Sequence, residues 1–211
     1  MKIKVCGLRD PENIKAIADL PVDYLGLIFH PGSPRYVGPD RADELLPVLE
    51  SAEGKQTVGV FVNAEISHIL EFTGDYALDF AQLHGNESAD YCRSLKQVWP
   101  SLQLIKAFQV GPDFDFAATA DYERYVDLFL FDTAGAQPGG NGTQFDWDRL
   151  SEYKGFRQFL LSGGIGPADA ARIKRLNFPQ LAGIDVNSGF ETEPGLKSVD
   201  SLRSFVEELR G

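Results

Sequence analysis

The stretch FLLSGGIGPADAARIKRL, residues 159–176, contains one strand, one tight turn and one helix in immediate succession. Its apolar start is typical of a strand that is buried on both faces. The glycines of SGGIG predict a tight turn, and Pro167 predicts the first turn of a helix. The segment GIDVNSG, residues 183–189, follows with another apolar strand and another turn of small residues. Two successive units of this kind predict parallel strands joined by helices.

The same alternation of apolar runs and amphipathic helical stretches extends over the whole chain. Eight such units are the number that closes a barrel, so we predict an α/β protein with a (β/α)8 TIM barrel as a single domain over residues 1–211. A doubly wound open sheet is the main rival, and the barrel is favoured because no GxGxxG motif follows the first strand. The strand candidates are residues 3–6, 24–29, 57–62, 78–83, 104–108, 128–132, 159–162 and 183–186.

Several local signals refine this pattern. Asp10 and Pro11 predict the start of the first helix, because Asp caps helices well and Pro suits the first helical position. Pro47 lies inside DELLPVLES and is expected to kink or end the second helix. The helix near DWDRLSEY is expected to be short. The loops around HPGSPRYVGPD and TAGAQPGGNGTQFDW are the longest, and long loops in compact domains often carry function.

Composition excludes several classes of protein. The chain has 211 residues, 43% of them hydrophobic, and a formal charge of −11. This charge argues against a nucleic-acid partner, because phosphate binding requires clustered Lys and Arg. We find no long apolar run and no charged-then-apolar leader, so we expect no membrane span, no signal peptide and a cytoplasmic protein. Two cysteines form no disulfide framework. The three histidines show no ligand spacing, so no metal site is expected.

The turns after the last two strands predict a phosphate site. In barrels of this kind the active site lies at the carboxyl ends of the strands, and phosphate often binds after strands seven and eight. Backbone N–H groups in SGGIG precede a helix start, where free donors and the helix dipole favour an anion. Either turn alone can simply be a tight connection, but both fall where a phosphorylated substrate would bind. The predicted phosphate residues are Gly163, Gly164, Asn187, Ser188 and Gly189.

Cys6 and Asp132 end the first and sixth predicted strands and are the candidate catalytic pair. Alone, Cys6 could be a packed small side chain, and Asp132 could be a hydrogen-bonded loop cap. At a barrel mouth, however, cationic or dipolar neighbours can activate a thiol as a base. A desolvated carboxylic acid can hold a proton near neutrality and donate it. An acid and a base on opposite sides of one mouth suit the isomerisation of a sugar phosphate.

Arg35 and His84 are candidates for substrate binding. Arg35 follows the second strand, and its guanidinium can bind a carboxylate through two parallel hydrogen bonds; a solvated surface arginine is the alternative. His84, in QLHG, is either a second proton carrier or a capping residue. Arg9, Lys106 and Asp185 also fall near the mouth and have ordinary structural roles such as ion pairing.

Taken together, these stretches resemble the phosphoribosylanthranilate isomerase family of tryptophan biosynthesis. The resemblance runs in family order over essentially the whole chain. No single motif decides it, but the combination of CG, SPRYV, QLHG and the two glycine turns in this order is highly specific. The matching stretches are KVCG, LGLIFHPGSPRYV, VGVFVN, LDFAQLHG, LIKAF, FLFDT, GGNGTQFDW, LLSGGIGPAD and GIDVNSGFETEPGLKS.

The resemblance implies a cofactor-free Amadori rearrangement of N-(5-phosphoribosyl)anthranilate to 1-(2-carboxyphenylamino)-1-deoxyribulose 5-phosphate. It implies that Asp132 is the general acid that opens the furanose ring and that Cys6 is the general base that removes the C2 proton. It also implies that Arg35 binds the anthranilate carboxylate and that the two glycine turns bind the phosphate. The expected partner is therefore a small phosphorylated molecule, and the expected assembly is a monomer or a homodimer.

Three positions depart from the family pattern, and two other functions stay open. Leu8 and Arg9 replace a branched aliphatic and a threonine, and Asn187 replaces a serine. Another phosphosugar barrel is one alternative: an epimerase would need paired His and Asp metal ligands, and the histidine-pathway isomerase would need two aspartates and a repeated half-barrel. A barrel that only binds a phosphorylated ligand is the other, and it would need neither Cys6 nor Asp132.

Overall fold

The computed structural model describes residues 1–133 and 144–211, and it contains a closed barrel of eight parallel strands. Each strand pairs with the next along the chain, and the first pairs with the eighth. This order confirms the predicted (β/α)8 barrel and excludes the open sheet. The strands are β1 (Lys2–Val5), β2 (Tyr24–Ile28), β3 (Gln56–Phe61), β4 (Phe80–Leu83), β5 (Gln103–Val110), β6 (Leu128–Thr133), β7 (Phe159–Leu161) and β8 (Leu181–Val186).

Helices surround the barrel, although two of the connections contain a 3-10 helix in place of an α-helix. The residues after β5 form a 3-10 helix, Phe116–Tyr122, and those after β6 form another, Trp147–Glu152. The second agrees with the short helix expected near DWDRLSEY. Residues 134–143 of the long loop before it lie outside the described residues. The α-helices are α1 (Pro11–Ala18), α2 (Ala42–Glu50), α3 (Ile66–Asp75), α4 (Ala89–Val98), α5 (Ala170–Lys174) and α6 (Val199–Arg210).

Pro47 does not end its helix. The helix α2 continues three residues beyond it to Glu50, so the expectation of an end at this proline is wrong. Proline removes one backbone donor and crowds the preceding turn. The apolar face of α2, with Leu45 and Leu49 buried in the core, explains why tertiary packing outweighs this local preference.

Alternate residues of the strands face two separate apolar regions. One region lies between the strands and the helices. The other is the barrel interior, which contains Tyr24, Phe80 and Leu130. Because side chains alternate along a strand, Ile3 and Val5 face the helices, and Lys4 and Cys6 face the interior. The apolar interior thus supports a layer of polar side chains at the carboxyl ends of the strands.

A small hairpin was not predicted from the sequence. After β8, a 3-10 turn (Ser188–Phe190) leads into β9 (Glu191–Glu193), which pairs antiparallel with β10 (Leu196–Lys197). Gly195 makes the turn between them with a φ of +90°, a value that suits glycine. This hairpin brings two charged side chains, Glu191 and Lys197, beside the barrel mouth.

Candidate active site

A cavity opens at the carboxyl ends of the strands, where the sequence placed the site. Its walls come from β1 and β8 on one side and from β4 and β6 on the other. Gln82 and Asp185 also line it, together with His30, Ser33 and Ser162. The predicted site residues that line the cavity are Cys6, His84, Asp132, Gly163, Gly164, Asn187, Ser188 and Gly189.

The residues around Cys6 hold it closely in the wall of the cavity. Its backbone N–H donates to the carbonyl of Val186 at 2.9 Å, which continues the pairing of β1 with β8. Gly7 follows with a φ of +76°, and a side chain there would meet Arg35 and Asn187. A Cβ at Gly26 would lie 3.1 Å from Cys6 Sγ. Both glycines therefore leave space for their neighbours, and Cys6 is only 4% exposed.

Two opposite charges lie under the thiol. The Lys4 ammonium donates to Asp185 at 2.9 Å, and both side chains are buried. Burial raises the pKa of the Cys6 thiol above its ordinary value; Lys4 opposes this effect and Asp185 adds to it. Loss of solvent is therefore the largest influence on how readily the Cys6 thiolate forms, and the Lys4 ammonium opposes it.

Asp132 faces the same cavity from the end of β6, next to a histidine and a glutamine. One carboxylate oxygen accepts the backbone N–H of Thr133 at 2.9 Å, and the other lies 3.2 Å from His84 Nε2. Gln82 Nε2 lies 2.7 Å from His84 Nδ1. Among the described residues, Gln82 Oε1 and His84 Nε2 have no aligned hydrogen-bond partner. Buried polar atoms of Gln82 and His84 thus lie beside the carboxylate in the wall of the cavity.

The two glycine turns pack against each other at one side of the cavity. Gly163 and Gly164 both have positive φ angles, +94° and +65°, and a Cβ at Gly189 would lie 3.2 Å from Gly166 Cα. The helix α5 that follows has only five residues, and Asp169 already accepts the Gly166 N–H at 2.8 Å. The phosphate site predicted for this region would therefore depend on the backbone of the turns and not on a long helix dipole.

Arg35 is beside the cavity but not among its lining residues. Its guanidinium donates to both carboxylate oxygens of Glu191, at 2.8 and 2.6 Å. Lys197 donates to Glu191 Oε1 at 2.5 Å and to Asn187 Oδ1 at 2.6 Å. Glu191 and Lys197 thus connect Arg35, the residue predicted to bind the substrate carboxylate, to the turn that contains Asn187.

Three charged residues of this region escaped the sequence analysis. Lys4 could have been found, because it lies two residues before Cys6 and must share its face of the strand. Glu191 and Lys197 carry no such signal, since only the hairpin brings them to the mouth.

Replacing Glu191 should destabilise the fold in a pH-dependent way. Burial would raise the Glu191 pKa, but hydrogen bonds from Arg35 and Lys197 hold it below its ordinary value. Such a group stabilises the fold at pH values above the ordinary glutamate pKa. This stabilisation is lost as the pH falls through the lowered pKa of the folded state. We expect Glu191→Gln to cost about 3–5 kcal/mol at neutral pH and less in acid.

Denaturant unfolding of wild type and variant across pH measures this loss. Glu193→Gln, which removes an exposed carboxylate from the same hairpin, is the matched control and should change stability little. An equal loss in both variants, or a loss independent of pH, would contradict the role assigned to Glu191.

Two further observations concern the described residues alone. Residues 1–133 and 144–211 bring together no group of three or more His, Cys, Asp or Glu that could hold a metal ion. Within the same residues, no helix is both long enough and apolar enough to cross a membrane.

Comparison with known proteins decides the family. Residues 3–208 match the model of the N-(5'-phosphoribosyl)anthranilate isomerase family. The chain belongs to this family. A phosphoribosylanthranilate isomerase from Parabacteroides distasonis is 46% identical over 99% of this chain and 93% of its own length. The family resemblance stated from the motifs is thereby confirmed, as is the prediction of an isomerase of tryptophan biosynthesis.

Solved structures of phosphoribosylanthranilate isomerases share the fold. A structure of monomers of the dimeric enzyme from Thermotoga maritima has a TM-score of 0.83 at 29% identity and covers 100% of this chain and 99% of its own. Another phosphoribosylanthranilate isomerase, in complex with reduced 1-(o-carboxyphenylamino)-1-deoxyribulose 5-phosphate, has a TM-score of 0.81 at 29% identity, with the same coverage. Both are similar to this chain along its entire length.

Proposed function

We propose that the cavity converts N-(5-phosphoribosyl)anthranilate to 1-(2-carboxyphenylamino)-1-deoxyribulose 5-phosphate, with Asp132 as general acid and Cys6 as general base. One observation carries this proposal: Cys6 directly after β1 and Asp132 at the end of β6 line one cavity together with both glycine turns. An acid and a base must act on different atoms of one bound sugar, and two groups that line one cavity support such a division of roles.

In the first step Asp132 acts as an acid. Its carboxylic proton passes to the furanose ring oxygen as the bond between C1 and that oxygen breaks. The nitrogen lone pair forms a C1–N double bond, so the product is an open iminium facing the Asp132 carboxylate. Thr133 N–H and His84, both beside this carboxylate, stabilise the negative charge that develops on it.

In the second step Cys6 acts as a base. Its thiolate takes the proton from C2, and the electrons of that C–H bond form a C1–C2 double bond while the nitrogen becomes neutral. The resulting enolamine gains a proton at C1 and loses the proton of its C2 hydroxyl, which gives the ketone. The substrate gains one proton from Asp132 and loses one proton to Cys6. Its composition is therefore unchanged, and the overall reaction is an isomerisation.

The binding roles complete the proposal. The phosphate is held by the backbone of Gly163, Gly164, Ser188 and Gly189 and by the Asn187 side chain, and Arg35 binds the anthranilate carboxylate. The bound ligand of the related solved structure, a reduced aminodeoxyribulose phosphate, supports this substrate class. We also propose a single domain over residues 1–211, a cytoplasmic monomer or homodimer, and no cofactor.

The decisive experiment is turnover by the wild-type protein. Phosphoribosylanthranilate is generated in situ, and its consumption is followed by the loss of its fluorescence. Rapid loss, with formation of the aminodeoxyribulose product, would support the proposal. Binding of the reduced product analogue without turnover would favour a barrel that only binds phosphorylated ligands. Turnover of a different aminoaldose phosphate alone would favour the other alternative.

Arg35→Ala should raise KM by about 10–100-fold and leave kcat nearly unchanged, because hydrogen bonds to a charged group contribute about 1.5–3 kcal/mol each. Glu191 engages Nε and Nη2, so Nη1 can donate to the substrate. Steady-state kinetics with phosphoribosylanthranilate and with its analogue lacking the carboxylate measures the effect. Arg41→Ala, which breaks an ion pair with Glu44, is the control. A loss of the same size with both substrates would contradict carboxylate binding.

A further inference from the structure

The barrel interior contains a charged pair that the proposed reaction does not use. Lys4 is completely buried, and its ammonium donates to Asp185 Oδ1 at 2.9 Å. The two residues face each other directly in the pairing of β1 with β8. The second oxygen of Asp185 lies 3.3 Å from Ser162 Oγ. The pair is therefore fixed by strand register and not by chance surface contact.

Stability alone does not account for this pair. Removing a lysine from water is costly, and a buried ion pair is often no more stabilising than apolar side chains of similar size. Apolar side chains of that kind, among them Tyr24, Phe80 and Leu130, form a cluster in the same interior. A buried lysine at this depth thus calls for a chemical explanation.

The position of Lys4 relative to Cys6 supplies one. The residues are two apart on one strand, so their side chains share the interior face. A Cβ built at Gly26 would lie 3.1 Å from Cys6 Sγ and 3.3 Å from Lys4 Cε, so both side chains border the same small space. A side chain at position 26 would therefore crowd both Cys6 and Lys4.

We propose that Lys4 is the positioning residue of Cys6: its ammonium, held in place by Asp185, compensates the negative charge of the Cys6 thiolate. This inference rests on the proposed role of Cys6 as the base. Asp185 acts in two ways, since it orients the ammonium and also opposes the thiolate by its own charge. Lys4 stays charged in spite of its burial because Asp185 and Cys6 raise its pKa.

Other charges face the thiol from neighbouring elements. Lys197 of the hairpin lowers the thiol pKa, though less than Lys4 does, and Arg35 also interacts with Cys6. Both are engaged by Glu191. The titratable groups that share the cavity with Cys6 are His30, His84, Asp132 and Asp185.

Three variants separate this electrostatic role from a structural one, because they move the thiol pKa in different directions. Lys4→Met should raise it by about 1–3 units. Asp185→Asn should lower it by about one unit, because an opposing charge is removed. The double variant Lys4→Met/Asp185→Asn leaves no unpaired buried charge, so it should fold, and its thiol pKa should again lie above that of wild type.

The measurement is the ultraviolet absorbance of the thiolate during a pH titration. The titration of Cys6→Ala is subtracted from that of each protein, so that Cys92 and the tyrosines cancel. Lys2→Met is the matched control, because Lys2 is on the same strand and pairs with Asp23 at the exposed end. This control should leave the titration of Cys6 unchanged. In the active variants, the acidic limb of kcat/KM should move in the same direction as the thiol pKa.

The outcomes distinguish this inference from the proposed function. The inference is supported if the thiol pKa rises in Lys4→Met and falls in Asp185→Asn, and if the acidic limb of kcat/KM moves in the same direction in each active variant. An unchanged thiol pKa in the double variant and in Asp185→Asn overturns it, even if Cys6→Ala is inactive and the base is correctly identified. Displaced titrations combined with full activity of Cys6→Ala instead overturn the role of Cys6, and with it the purpose assigned to Lys4.

Discussion

Cys6→Ala is expected to lose about 10²–10⁴-fold in kcat, the usual contribution of a general base. The methyl group cannot accept the C2 proton, so the iminium forms but does not proceed. Affinity for the reduced product analogue should change little, because the sulfur contributes no proposed contact to phosphate or carboxylate. Stopped-flow or steady-state loss of substrate fluorescence, together with calorimetric binding of the analogue, measures both quantities.

Two control variants sharpen this test. Cys92→Ala removes the other cysteine, which is buried on α4, and should retain turnover. Cys6→Asp restores a base of lower intrinsic pKa, so it should recover part of the activity and extend it to lower pH. Full turnover by Cys6→Ala, or a loss of binding equal to the loss of rate, would contradict the role of the thiol.

Asp132→Asn is expected to lose about 10²–10⁴-fold in kcat for the complementary reason. The amide has nearly the shape of the carboxyl group, and its oxygen can still accept the Thr133 N–H, so the fold should be preserved. It cannot donate an acidic proton to the ring oxygen, and ring opening becomes limiting. The same fluorescence assay and analogue binding measure the effect, with thermal unfolding as a check on folding.

The control for this variant is Asp121→Asn, which removes an exposed carboxylate and should be neutral. An Asp132→Asn protein with wild-type kcat would contradict the acid role. A variant that binds the analogue far more weakly at unchanged kcat would instead make Asp132 a binding residue. His84→Gln should not reproduce the full loss, because His84 only lies beside the carboxylate.

The local pattern of the sequence was sufficient to predict the barrel architecture. Parallel strands buried on both faces are continuous apolar runs, so all eight strands were located, with ends displaced by at most a few residues. Strand ends in turn located Cys6, His84, Asp132 and the two glycine turns, and the structure places all of them around one cavity. The fold and the residues at the barrel mouth can be predicted from the sequence, because both depend on residues that are neighbours along the chain.

Features that depend on several elements at once were decided by the tertiary structure. The packed face of α2 overrides the preference of Pro47, and two expected helices form as 3-10 helices. Glu191 reaches Arg35 across 156 positions of sequence, and Lys4 reaches Asp185 across 181. Barrel closure places β1 beside β8 in one register, and that register brings Asp185 to the buried ammonium of Lys4. The sequence by itself determined which groups stand at the strand ends, whereas closure decided which charges surround them, because electrostatic neighbours depend on distance in space and not along the chain.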